Sequence, residues 1–210
     1  MKHTKKLIIG AVLAAFASTA VFAADSMATA KVQWNSTAAK KTDVELNVFA
    51  STDALTFKWN PSTKAFTTPT SDLTIQAAGR AGSTAYSITT QLVDVTLVHE
   101  GGAAKGVLNV SAELGALDIG KTPVNILNGD AGGVKTSIAG LNNMDLAKAG
   151  PNVTPKGTYH EATGIPVKFK ILTASKGNSS IDLDAVEDGT YSGVVSMSFV
   201  AKWADTAVSG

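Results

Sequence analysis

Polar and apolar residues alternate along most of the chain. In "DVELNV" Val44, Leu46 and Val48 share a face, and in "ALTFKW" Leu55, Phe57 and Trp59 do. "DLTIQA" aligns Leu73, Ile75 and Ala77. "AYSITTQL" aligns Tyr86, Ile88 and Leu92, and "VDVTLV" continues with Val93, Val95 and Leu97. The phase slips between Leu92 and Val93, which predicts a bulge or bend there. "VLNVSAEL" places Leu108, Val110, Ala112 and Leu114 together, and "PVKFKIL" places Val167, Phe169 and Ile171 together. The cleanest run comes last: in "YSGVVSMSFVAKW" Val195, Met197, Phe199, Ala201 and Trp203 fall on every second position. "ATAKVQW", residues 28–34, alternates in the same way near the other end.

A period of two marks half-buried strands. The runs are separated by turn-forming stretches: "NPST", "AGRAGS", "EGGAAKG", "NGDAGG", "SKGNSS" and "EDGT". Seven or more short strands with Gly-rich polar turns predict an antiparallel β-sandwich, with a closed barrel as the alternative. Residues 128–164 differ. They are Gly-rich and weakly periodic, and "GLNNMDLAKAG" offers one or two helical turns. They read as a surface excursion, because a structureless loop of this length is unusual in a compact domain.

Composition adds the compartment. "MKHTKK" carries Lys2, Lys5 and Lys6 ahead of the apolar "LIIGAVLAAFASTAVFA", which ends in small residues. This predicts a cleaved secretory signal at 1–23, with Ala24 as the first mature residue. The remaining 210 − 23 = 187 residues suffice for one domain with its own core. Removing three lysines takes 18 basic and 17 acidic residues to 15 and 17, a charge near −2. That balance argues against nucleic-acid binding. There is no Cys, so neither disulfides nor thiol chemistry is available, and stability must come from burial or from partners.

Candidate chemistry is sparse. His99 and His160 lie far apart without an acidic partner at metal-binding spacing, and both read as surface or turn residues, with the pair His160-Glu161 in a loop. "DLDAVED" offers Asp182, Asp184, Glu187 and Asp188, but Gly189 comes too late for a Ca²⁺ loop. Asn35, Asn109, Asn152 and Asn178 open short N-x-S/T triplets that chance explains. Trp34, Trp59 and Trp203 end alternating runs on their apolar faces, so Trp34 and Trp203 read as core, and Trp59 as core or an exposed strand end. The chain therefore reads as a non-enzyme with no cofactor and no metal.

Two strong terminal strands suggest a further possibility. An Ig-like sandwich lacking one strand leaves an apolar groove beside an unpaired edge, which another chain's strand can fill. Ala28, Ala30, Val32 and Trp34 form such a face, followed by the polar connector "NSTAAKKT", residues 35–42. The pattern alone favours a first strand folded into its own domain over a donated one.

"ATAKVQWNSTAAKKTDVELNV", "STAYSITTQLVDVTL" and "VEDGTYSGVVSMSFVAKW" together resemble the major pilins of the Escherichia coli common pilus, or Mat fimbria, a family of chaperone–usher pilins. The resemblance spans nearly the whole mature chain, and the patterns W-x-S/A-T-A-x-K and G-x-Y/W-S-G-x-V are fairly specific to it. Residues 98–187 and the tail "ADTAVSG" depart from it, which leaves loop surfaces and any receptor contact undetermined. The resemblance implies an all-β, incomplete Ig-like antiparallel β-sandwich completed by a donated strand. It divides the chain into a signal peptide (1–23), a donor-strand extension with connector (24–42) and an Ig-like pilin domain (43–210). The donor would be Ala28, Ala30, Val32 and Trp34. The acceptor groove would be Val44, Leu46, Val48, Val195, Met197, Phe199, Ala201 and Trp203. The implied partners are neighbouring subunits, a periplasmic chaperone, an outer-membrane usher, a tip adhesin and the host cell surface. The product would be an adhesive fimbrium, exported through the periplasm to the cell surface. Burial of four donor groups would contribute about 5 kcal/mol before ordering costs. A secreted carbohydrate-binding module, using Trp59 and residues 128–164, is the alternative.

Overall fold

The computed structural model describes residues 27–32, 46–81, 83–101, 106–130, 132–150, 152–154 and 157–204. The expected signal peptide, Trp34, Asn35, the connector and Val44 lie outside them. Fourteen strands follow in order: β1 Met27–Val32, β2 Leu46–Ala50, β3 Ala54–Asn60, β4 Ala65–Phe66, β5 Thr70–Ala78, β6 Ala85–His99 and β7 Gly106–Leu114. Then come β8 Leu117–Ile119, β9 Val124–Asp130, β10 Gly133–Lys135, β11 Asn152–Thr154, β12 Gly157–Lys176, β13 Ser179–Ile181 and β14 Tyr191–Ala204. Two 3-10 turns, Leu141–Asn143 and Leu183–Ala185, are the only helical pieces among the described residues.

The strands pair along one path, β2-β5-β12-β7-β6-β14-β1-β3-β4. Every pairing is antiparallel except β1–β14. The path folds over at β6, which takes β9 along Ala85–Thr90 and β7 along Thr96–Val98, while β14 runs beside its other edge throughout. Alternate residues of both halves meet in one core. Leu73, Ile75, Leu108, Val167 and Phe169 come from one layer, and Leu55, Phe57, Ile88, Leu92, Val195, Met197 and Phe199 from the other. Among the described residues the period-two runs thus bury most of the faces that alternation assigned to the interior, with exceptions such as Val93 and Trp59, as an antiparallel β-sandwich requires.

The strands are longer than expected, and bulges make the length usable. β12 has 20 residues and shifts register twice, at Ala162/Ile165 and at Ile171/Thr173. The second shift turns Leu172 out to 65% exposure. The slip expected after Leu92 is present: Leu92 faces Met197 and Val95 faces Val195, so Val93 and Asp94 oppose Ser196 alone. Ser196 Oγ donates to Asp94 Oδ2 at 2.5 Å and accepts from the Asp94 amide at 3.2 Å, which closes the bulge. Val93 is expelled to 46% exposure rather than joining Val95 and Leu97 inside.

Residues 128–164 are not a surface excursion. Ile138, Leu141, Met144 and Leu146 are all buried in the core. Amide bonds from Leu141 to Ile138 O and from Met144 to Leu141 O wind the segment tightly. The Arg80 amide ties it to Leu146 O at 2.8 Å. The weak periodicity reflects a cap whose apolar groups enter the core from irregular backbone. His160 is likewise not in a loop. It lies on β12, buried, with Nε2 3.3 Å from Lys148 O.

Candidate assembly groove

The first and last described strands meet. β1 lies between β14 and β3, parallel to the first and antiparallel to the second. Ala28 through Val32 match Tyr191 through Val195, and Met27 through Lys31 match Lys58 back to Ala54. A parallel pair needs a long connection between its strands. These two strands are the first and last among the described residues, and residues 33–190 form that connection.

Alternation determines what the strands beside β1 offer. β3 buries Leu55 and Phe57, and β14 buries Tyr191, Val195, Met197 and Phe199, with Ala201 and Trp203 half-buried toward its end. β6 supports β14 along its whole length, but β1 covers only Tyr191–Val195. Among the described residues, no strand pairs with Ser196–Ala204 on the side away from β6. The Trp203 indole N–H is buried there without a hydrogen-bond partner. Thr90 Oγ1 donates to Ser198 O at 3.0 Å and pins β14 to β6.

Gly193 is demanded by closeness of backbone. A Cβ there would lie 2.1 Å from Thr96 O of β6. At the same end, Tyr191 Oη donates to Glu187 O at 3.2 Å, and its ring lies 4.9 Å from that of His99. Burial, then the nearby Glu187 and Asp188 carboxylates, push the Tyr191 phenol above its ordinary range. Lysines pair two of the carboxylates in the acidic loop before β14: Lys64 pairs Asp184 at 2.8 Å, and Lys176 pairs Glu187. These lysines hold both carboxyls below their ordinary range. No group of three or more His, Cys, Asp or Glu that could hold a metal occurs among the described residues.

Trp59 is half-buried and meets Phe66 edge-on at 5.1 Å. Together with Leu183, Val186 and Tyr191 they line a cleft of about 60 Å³, well below the 300–1,000 Å³ usual for small-molecule sites. With Ile138, Leu141, Met144 and Leu146 in the core, the 138–146 part of the segment offers the carbohydrate-module alternative no exposed apolar loop.

Ala28, Ala30 and Val32 therefore sit, as backbone positions, beside the first residues of β14. Val195, Met197 and Phe199 line the same layer. Leu46 and Val48 are buried, but β2 pairs with β5 at the opposite end of the path. The strand facing β14 across β1 is β3. Leu55 and Phe57 were visible as an alternating run, but nothing in the run says which strand lies across from it.

The described residues thus form an antiparallel β-sandwich in which the N-terminal β1 pairs with the first residues of β14. The chain belongs to the MatB fimbrillin family: the family model described as Fimbrillin MatB matches residues 27–203. It is thus a structural subunit of a fimbrium. It is 28% identical over 202 residues to the common pilus major fimbrillin subunit EcpA of Escherichia coli strain SMS-3-5, covering 95% of this chain and 98% of the relative. Against the same-named protein of strain UTI89 it is 28% identical over 204 residues, covering 96% and 94%. The solved CooA pilin subunit from enterotoxigenic Escherichia coli is similar at 8% identity and TM-score 0.37, over 77% of this chain and 99% of that one.

Proposed function

We propose that this chain is the major, repeating subunit of its fimbrium and that it polymerises by donating residues 24–34 to the groove of the next subunit. The observation that carries the reading is β1 paired between β14 and β3, because it is the position a donated strand would take. The apolar groups along β14 support it, as does the stretch Ser196–Ala204, which among the described residues pairs with β6 alone. Main-chain bonds would supply affinity, and alternate side chains the register. Such contacts are heterologous and do not close, so they generate filaments.

An exposed apolar groove is an aggregation hazard. The subunit would therefore travel through the periplasm with a chaperone strand in the groove, pass an outer-membrane usher, and join a cell-surface fibre headed by a tip adhesin. The domain would carry no catalytic activity. Deletion of residues 24–34, with a chaperone co-expressed, tests the reading: the truncated subunit should remain folded and form no fibres. Normal fibres from it would refute strand donation.

A further inference from the structure

We infer that a subunit whose groove holds no chaperone strand closes that groove with its own β1, and that this self-inserted strand is a latch that must leave before the subunit can assemble. The inference rests on the strand-donation reading above.

The pairing itself is within one chain. Five consecutive positions of β1 match β14 and five match β3, so both edges of β1 are engaged. Thirteen residues, 33–45, separate Val32 from Leu46, a reach of at most ~45 Å when extended. A tether this short gives β1 an effective concentration of about millimolar at its own groove. Below that subunit concentration the chain's own strand outcompetes an equally good strand from a neighbour.

Assembly therefore needs the neighbour's strand to pair better, and the groove allows it. β14 has 14 residues, of which β1 covers five. The uncovered part contains Met197 and Phe199 and the half-buried Ala201 and Trp203. A strand placed along Ser196–Ala204 would gain ladder bonds that, among the described residues, Met27–Val32 does not make in its own subunit. Self-closure protects the monomer, and extent of pairing favours the fibre.

The absence of Cys makes a disulfide test clean. Thr29 and Ser192 are neighbours across β1 and β14, and adjacent strands lie about 4.8 Å apart, within disulfide reach. The full chain carrying Thr29→Cys and Ser192→Cys is exported, isolated as monomer and oxidised. A second variant, Thr29→Cys with Thr56→Cys, bridges β1 to β3 and serves if the first misfolds. The expected result is a disulfide within single monomers, read as a reductant-sensitive mobility shift. Oxidised monomer should fail to polymerise and recover on reduction, while each single-cysteine variant polymerises normally. Disulfides found only between chains, or none in monomers of either pair, would overturn the latch. If the 24–34 deletion abolishes fibres while monomers give no internal disulfide, only the latch falls. If the deleted chain still forms fibres, strand donation itself falls.

Discussion

At the scale of single residues, two positions turn geometry into measurable stability. Gly193 sits where a Cβ would meet the Thr96 carbonyl oxygen at 2.1 Å. Gly193→Val should push β14 away from β6 and cost about 1–3 kcal/mol in urea unfolding. Tyr86 is the second. Burial, then the Asp145 carboxylate, push its phenol up to about 12 from an ordinary 10.0. A raised phenol pKa means that the fold favours the neutral form. Its contribution is complete below pH 10 and is lost as pH rises through about 12. Tyr86→Phe removes that titration, so the melting temperature of the variant should fall less between those two pH values. Equal alkaline limbs would refute the assignment. Tyr191 is raised in the same direction by burial, so one substitution removes only part of the slope.

At the scale of elements, β14 and the cap formed by residues 138–146 make opposite points about pattern. Phe199 is 1% exposed and its neighbour Val200 39%. Phe199→Ala should cost about 3–5 kcal/mol, and Val200→Ser should stay within about 0.5 kcal/mol, both by denaturant unfolding of the monomer. That contrast was legible, because a strand's side chains alternate whatever the strand packs against. The cap was not legible. Leu141 is fully buried, yet its segment follows no strand or helix period. Leu141→Ala should cost about 2–5 kcal/mol in the same assay, whereas a surface loop would tolerate it. Irregular backbone reaches the core through hydrogen bonds such as Arg80 N–H to Leu146 O, and a binary pattern does not encode these.

At the scale of the whole molecule, the question is what holds subunit to subunit without a disulfide. Most ion pairs among the described residues have a well-exposed partner, and in Lys64–Asp184 and Lys135–Asp130 both side chains are exposed. Exposed pairs contribute little and are screened by salt. Fibre dissociation should therefore depend weakly on ionic strength and strongly on denaturant, measured as subunit release over a salt series and a urea series. Steep release in salt alone would indicate that charge, rather than strand pairing and apolar burial, holds the fibre. The sequence by itself determined the long alternating strands, most of the faces they bury and the slip after Leu92, because these follow from period-two geometry and local bulge formation. It also carried the likeness of the two ends to a pilin family. Only the tertiary structure decided that β3 rather than β2 faces β14 across β1, that β1 runs parallel to β14 in its own subunit, and that residues 138–146 seal the core. Each depends on which distant segments come together, and an alternating strand buries its apolar face equally well against any partner of matching shape.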